Sequence, residues 1–123
     1  MGLDMYLNKY TGDSDCASDR VYWRKANQIH GWFVRNVQDN VDNCEEYQVT
    51  TDQLKELLDL VKTVLKTKNT SLLEPTQGFF FGSYDTDDEY YWQNLRHTRD
   101  ELKRLLKNIN KEDNPRFTYQ SSW

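Results

Sequence analysis

A helix is encoded by TTDQLKELLDLVKTVL, residues 50–65. Thr50 and Gln53 have the spacing of a capping box, in which each side chain accepts a hydrogen bond from the other residue's backbone N–H. After Gln53, apolar residues recur at intervals of three and four and form one stripe along the helix: Leu54, Leu57, Leu58, Val61, Val64 and Leu65. The segment therefore predicts a capped helix with one face in the core.

The residues before this helix predict a strand, a helix and a second, short strand. Within residues 3–7 every second position is apolar, which is typical of a strand with one buried face. A polar loop follows, and Ser18 or Asp19 can cap a helix that ends at residues 39–43. The apolar stripe of that helix would comprise Tyr22, Ala26, Ile29, Phe33 and Val37. A short strand is expected at residues 47–49.

The residues after it predict a connector and a long third helix. Pro75 blocks helical continuation in the connector. Thr86 and Glu89 repeat the capping-box spacing, so the third helix should start there and end near Asn110. Its apolar positions are Tyr91, Leu95, Thr98, Leu102, Leu105 and Ile109.

The two ends of the chain are predicted to meet. Residues 117–123 alternate like a strand, and we expect the Trp123 indole to be packed against the protein. This strand and the strand at residues 3–7 can pair with each other. The sequence therefore predicts an α+β fold: a single compact domain over residues 1–123, with three helices packed on a small, mainly antiparallel sheet of two to four strands.

Composition limits the classes of partner. The 123 residues suffice to bury a core without a metal or a disulfide, and they leave no room for a second domain. The net charge is −4 with interspersed signs, which disfavours a groove for nucleic acid. No apolar run approaches the roughly 20 residues that cross a bilayer, and the start of the chain lacks the pattern of a secretory signal. We therefore expect a cytoplasmic protein without a membrane partner.

Polar and aromatic residues on the first predicted helix suggest a ligand site. A helical wheel places Trp23, Asn27 and His30 on one flank, near Arg24 and Lys25 in the sequence. An indole, an amide and an imidazole match stacking and edge recognition of a base, and cations match phosphate. A plain structural role is the alternative, in which Trp23 widens the core, His30 satisfies a buried hydrogen bond and the cations are solvated.

A second stretch, PTQGFFFGS at residues 75–83, is the other half of the predicted site. Gln77 and Ser83 can supply hydrogen bonds to a ligand, and Phe79 or Phe81 a stacking surface. Three consecutive phenylalanines cannot all face one side of a strand. At least one is therefore expected to be exposed, to line a pocket or to meet a second copy in a homodimer.

Catalytic chemistry is not readable from the sequence. No nucleophile, base and orienting group stand in a recognisable pattern, so we predict no catalytic residue and lean against an enzyme. The carboxylates of residues 85–89 fit a helix start, where the macrodipole favours negative charge, better than a magnesium or calcium site. We predict no metal site and no cofactor.

Five blocks of sequence carry a resemblance to a known family. They are GLDMYL at residues 2–7, YWRKANQIHGWF at residues 22–33, PTQGFFFGS at residues 75–83, DEYY at residues 88–91 and YQSSW at residues 119–123. In this order they resemble a family of small proteins of phages, prophages and bacteria. The resemblance implies a phage-associated accessory protein in the cytoplasm of the bacterial host cell, and it carries over no catalytic residue.

Three hypotheses of function follow from the resemblance together with the polar-aromatic clusters. The first is a counter-defence protein that binds and sequesters a nucleotide-derived immune signalling molecule, such as a cyclic oligonucleotide or an ADP-ribose derivative. The second is a protein-binding inhibitor of a host defence nuclease, of the anti-CRISPR type. The third is a small enzyme that processes nucleotides.

Overall fold

Four antiparallel strands form one sheet. The computed structural model describes residues 2–76 and 84–123. The strands are β1 (Asp4–Tyr10), β2 (Asp19–Arg24), β3 (Tyr47–Val49) and β4 (Arg116–Ser122), in the spatial order β2-β1-β4-β3. The terminal strands β1 and β4 lie side by side in the middle of the sheet, which confirms their predicted pairing.

Three helices complete the α+β fold: α1 (Asn27–Asn36), α2 (Thr51–Thr67) and α3 (Glu89–Leu106). The predicted capping box of α2 is confirmed, since Thr50 Oγ1 accepts the Gln53 N–H and the Gln53 side chain accepts the Thr50 N–H. No helix in the described residues is long and apolar enough to cross a membrane.

The ends of α3 differ from the prediction. Its N-cap is Asp88, whose side chain accepts the Tyr90 N–H at 3.0 Å, so the predicted cap at Thr86 is wrong. The helix ends at Leu106, and Ile109 reaches the core from a separate 3-10 turn at Ile109–Lys111. A short turn can continue an apolar spacing after the helical hydrogen bonds have stopped.

The predicted start of the first helix is wrong. Residues 19–24 form strand β2, which pairs with β1, and α1 begins only at Asn27. Lys25 has a positive φ of 54° at the corner between them. Ala26, Ile29 and Phe33 do share one face at α1, as predicted. Tyr22 has the same helical spacing in the sequence, but it lies on β2.

All three helices contribute to a core on one face of the sheet. Met5 and Leu7 of β1 point into that core, as does Leu3 just before the strand. The Phe33 ring of α1 stacks on the Tyr119 ring of β4, with 3.8 Å between centroids. Side chains on the opposite face are exposed or half-buried, apart from Asn8. We call this the outer face of the sheet.

Candidate functional site

Trp23 belongs to the core. Its side chain is only 2 % exposed, and its indole N–H donates to Thr98 Oγ1 on α3 at 2.8 Å. The rings of Phe33 and His97 pack edge-on to it, with centroids at 6.1 and 6.5 Å. Because Trp23 lies on a strand, the predicted helical-wheel grouping with Asn27 and His30 is wrong. The structure leaves its ring no open surface for stacking a ligand.

Arg24 and Lys25 stand apart from Trp23. Arg24 is exposed on the outer face, because successive side chains of a strand point to opposite sides. Its carbonyl accepts the Tyr90 hydroxyl of α3. Lys25 occupies the corner after β2, where its N–H donates to the Leu3 carbonyl at 2.7 Å.

Asn27 is buried at the start of α1 and forms hydrogen bonds with two residues far away in the chain. Its Oδ1 accepts the Thr76 N–H and its backbone N–H donates to the Tyr84 hydroxyl, each at 3.0 Å. The Tyr84 hydroxyl donates in turn to the Gln28 side chain, and burial raises the Tyr84 pKa well above its usual range. Asn27 thus holds both flanks of residues 77–83. Gln77, Phe79, Phe81 and Ser83 lie outside the described residues, and their role stays a prediction.

Thr76 packs tightly on α1 at Gly31. A Cβ at this position would come within 2.3 Å of Thr76 Oγ1 and 3.0 Å of an Arg35 nitrogen. Thr76 therefore lies directly against the backbone of α1, where glycine leaves the space that a larger residue would fill.

His30 forms a second buried network, distinct from that of Asn27. Its Nδ1 lies 2.7 Å from the Tyr119 hydroxyl, and its Nε2 lies 3.1 Å from each carboxylate oxygen of Asp42. These partners assign a neutral ring that donates from Nε2 to Asp42 and accepts from Tyr119 at Nδ1. Burial lowers the His30 pKa, although the Asp42 carboxylate opposes that effect. These contacts agree with the alternative interpretation of the sequence, in which His30 satisfies buried hydrogen bonds.

Trp123 is less packed than predicted. Its side chain is 38 % exposed, and its indole N–H donates to Asp42 Oδ1 at 3.1 Å. Asp42 therefore links the end of the chain to His30, and a hydrogen bond holds Trp123 where full burial was expected.

The His30 environment predicts a pH-dependent stability. Because the folded-state pKa lies below the usual value of 6.5, the unfolded chain binds more protons as the pH falls through 6.5, and stability falls with it. One proton limits this slope to about 1.4 kcal/mol per pH unit. We expect the melting temperature of the wild type to fall between pH 7 and 5.5, and His30→Gln to lose this part of the slope.

The matched control for this measurement is Gln93→Ala, which changes an exposed side chain of α3 that does not titrate. It should retain the wild-type slope. Equal slopes in wild type and His30→Gln would show that His30 contributes no pH dependence.

The five predicted site residues at positions 23–30 thus occupy four environments, and among them only Arg24 and Lys25 remain near solvent. The structure instead brings together a different set on the outer face. Arg20, Tyr22 and Arg24 alternate along β2, and Tyr22 lies directly opposite Tyr6 of β1. We call these four residues the tyrosine–arginine patch.

The rings of the tyrosine–arginine patch are in contact and accessible. Tyr22 is 45 % exposed, and its ring centroid lies 5.5 Å from that of half-buried Tyr6, with the planes tilted by 40°. The Arg20 guanidinium lies over the Tyr6 ring at 5.1 Å, held by a hydrogen bond from its Nε to Asn8 Oδ1 at 2.7 Å. This patch already accommodates a planar cation on a ring.

The patch is locally positive in an acidic protein. In the described part of the chain, neither Arg20 nor Arg24 takes part in an ion pair. Asp4, the one carboxylate opposite Arg24, accepts the Tyr22 hydroxyl at 2.5 Å, and this hydrogen bond raises the Tyr22 pKa. Two guanidinium groups against one carboxylate favour an anion here, whereas the whole chain carries −4.

A cavity of about 450 Å³ opens beyond the other edge of the sheet. We call it the β3–β4 cavity. The residues that line it come from both strands, from α2 and from the neighbouring loops, and they include Gln48, Thr118, Thr51, Tyr10 and the carboxylates Asp15 and Glu46.

Arg116 also lines the β3–β4 cavity, but its guanidinium group is engaged by the protein itself. It donates hydrogen bonds to the backbone carbonyls of Gly12, Ser14 and Asn114 and so stabilises the neighbouring loops.

A metal centre has no support in residues 2–76 and 84–123, where no three His, Cys, Asp or Glu side chains are grouped to hold an ion. Within the acidic residues 85–89, Asp88 is the N-cap of α3. This agrees with the interpretation that these carboxylates mark a helix start.

Sequence reasoning missed Tyr6 and Arg20, and it assigned Tyr22 to the apolar stripe of a helix instead of to the site. A signal was present, because Val21 and Trp23 alternate with Arg20, Tyr22 and Arg24 in the period-two pattern of a strand. The pairing of Tyr22 with Tyr6 follows only once β1 and β2 are known to be neighbours.

No protein-family model matches the chain, and neither curated proteins nor solved structures give a match to it.

Proposed function

We propose that the protein binds a nucleotide-derived ligand at the tyrosine–arginine patch on the outer face of its sheet. A base would stack on Tyr22 and Tyr6, and a phosphate would contact Arg20 and Arg24. The observation that carries this proposal is the exposed Tyr22 ring between two arginines that have no carboxylate partner in the described residues.

Stacking supports the aromatic part of the ligand. Sheet faces that bear aromatic side chains are used to stack bases, since every base has a π-face. Tyr22 and Tyr6 are held by neighbouring strands, so little conformational entropy is lost when a ring packs on them. Such stacking contributes about 1–3 kcal/mol per base.

Charge supports the phosphate part. A guanidinium matches the geometry of phosphate oxygens and is less strongly hydrated than an ammonium group. Arg20 and Arg24 lie four residues apart on one strand face, about 13 Å between their Cα atoms. They can therefore flank a ligand that stacks on Tyr22.

Binding without turnover suits this patch. It contains two rings and two cations but no nucleophile paired with a base. Such a protein would act by sequestering its ligand, and the resemblance to phage-associated proteins would place that activity in counter-defence against a nucleotide-derived signal.

Calorimetry with ADP-ribose and cyclic di-AMP tests the proposal. Tyr22→Ala should weaken binding of whichever ligand binds by about 1–3 kcal/mol, because stacking is lost. Arg24→Gln should weaken it by about 1.5–3 kcal/mol, because a charge-assisted contact is lost.

Lys62→Gln is the matched control, since it removes one positive charge from an exposed site on α2. It should leave affinity nearly unchanged. Equal affinities for wild type, Tyr22→Ala and Arg24→Gln would remove the patch from the binding site.

A further inference from the structure

A straight row of side chains connects the tyrosine–arginine patch with the β3–β4 cavity. In the strand register, Arg20 lies opposite Asn8, Asn8 opposite Thr118, and Thr118 opposite Gln48. All four belong to the outer face. Three strand spacings of about 4.8 Å give the row a length of about 14 Å.

The two ends of this row differ in chemistry. At one end, Arg20 is a cation beside the Tyr6 ring. At the other end, the cavity has the carboxylates Asp15 and Glu46, while the guanidinium of Arg116 is engaged by three backbone carbonyls. Phosphate is therefore favoured at the first end and disfavoured at the second.

The β3–β4 cavity fits an uncharged group that donates hydrogen bonds. A nucleobase with an exocyclic amine has donors for a carboxylate, and its other edge atoms can pair with the Gln48 amide. The volume of about 450 Å³ lies within the range of small-ligand sites and exceeds what one base needs.

We infer that the ligand is a short oligonucleotide of two or three nucleotides, which stacks one base on Tyr22 and Tyr6, passes a phosphate at Arg20 and places another base in the β3–β4 cavity. This inference rests on the proposed function and narrows its ligand class. A mononucleotide does not span the row, because its base and phosphate are much closer together than about 14 Å.

The overall charge sets the upper limit of length. Each further phosphate of a long strand would lie beyond Arg20 and Arg24, over a protein of net charge −4. A short ligand needs only the local positive charge of the patch.

Binding assays with AMP, the linear dinucleotides pApA and pGpG, and cyclic di-AMP test this inference. We expect at least one of the two-nucleotide ligands to bind about tenfold more tightly than AMP. Gln48→Ala should weaken the binding of that ligand about three- to tenfold, as expected for a hydrogen bond, and leave AMP unchanged.

Gln93→Ala is the matched control, because Gln93 is an exposed glutamine on α3. The inference is overturned if AMP binds as tightly as every two-nucleotide ligand, or if Gln48→Ala binds them like Gln93→Ala. In that case the proposed function still stands, provided that Tyr22→Ala weakens AMP binding. If none of the probes binds, both the inference and the proposed function are wrong. Linear and cyclic ligands are distinguished by comparing pApA with cyclic di-AMP.

Discussion

Replacing Trp23 by alanine should lower the free energy of unfolding by about 3–5 kcal/mol, the cost typical of truncating a fully buried large aromatic residue. The indole is 2 % exposed, packs against Phe33 and donates to Thr98 across the core. Urea unfolding followed by circular dichroism measures this loss.

The neighbouring residue provides the control. Tyr22→Ala removes a ring from the outer face and should change stability by less than about 1 kcal/mol, since Tyr22 is 45 % exposed. Trp23→Phe should fall between the two, because it keeps a ring and loses the bond to Thr98. A small effect of Trp23→Ala together with a large effect of Tyr22→Ala would reverse the assignment of the two faces.

Replacing Phe33 by alanine should also cost about 3–5 kcal/mol. The Phe33 ring is fully buried on α1, stacks on Tyr119 with planes 5° apart, and meets the Trp32 ring edge-on at 5.2 Å. Aromatic pairs add to the energy of burial, and the cavity left by the ring cannot collapse fully.

The contrasting variants for this site are Phe33→Leu and Val41→Ala. Phe33→Leu should cost less, since it refills part of the volume. Val41→Ala, at an exposed position, should change stability by no more than about 0.5 kcal/mol. A cost below about 1 kcal/mol for Phe33→Ala would contradict the packing of α1 on β4.

Local signals sufficed for much of the fold. The capping box of Thr50 and Gln53 fixes the start of α2 through two short-range hydrogen bonds, and neighbouring residues alone determine them. The alternation in residues 3–7 likewise predicted β1. A period of two residues places Leu3, Met5 and Leu7 on the same side of the strand, which here faces the core.

Residues 19–26 were misassigned for a physical reason. Tyr22, Ala26, Ile29 and Phe33 have helical spacing, yet residues 19–24 gain backbone hydrogen bonds by pairing with β1. That pairing depends on residues far away in the chain, so a periodicity within one segment cannot reveal it.

The candidate site was predicted only in part. Arg24 was predicted to contact a phosphate, and it does lie in the tyrosine–arginine patch. Trp23, Asn27 and His30, in contrast, are buried and form hydrogen bonds within the protein. A patch made of side chains from two strands depends on register, which sequence periodicity alone does not give.

Nuclear magnetic resonance can map which face of the protein a short oligonucleotide contacts. In a titration of ¹⁵N-labelled protein with pApA, we expect the largest shifts at the backbone amides of Tyr6, Arg20, Tyr22 and Gln48 on the outer face. The indole N–H of Trp23, which donates to Thr98 on the helical side, should shift little. Shifts centred on α1 around Asn27 and His30, with the outer face unchanged, would contradict the account.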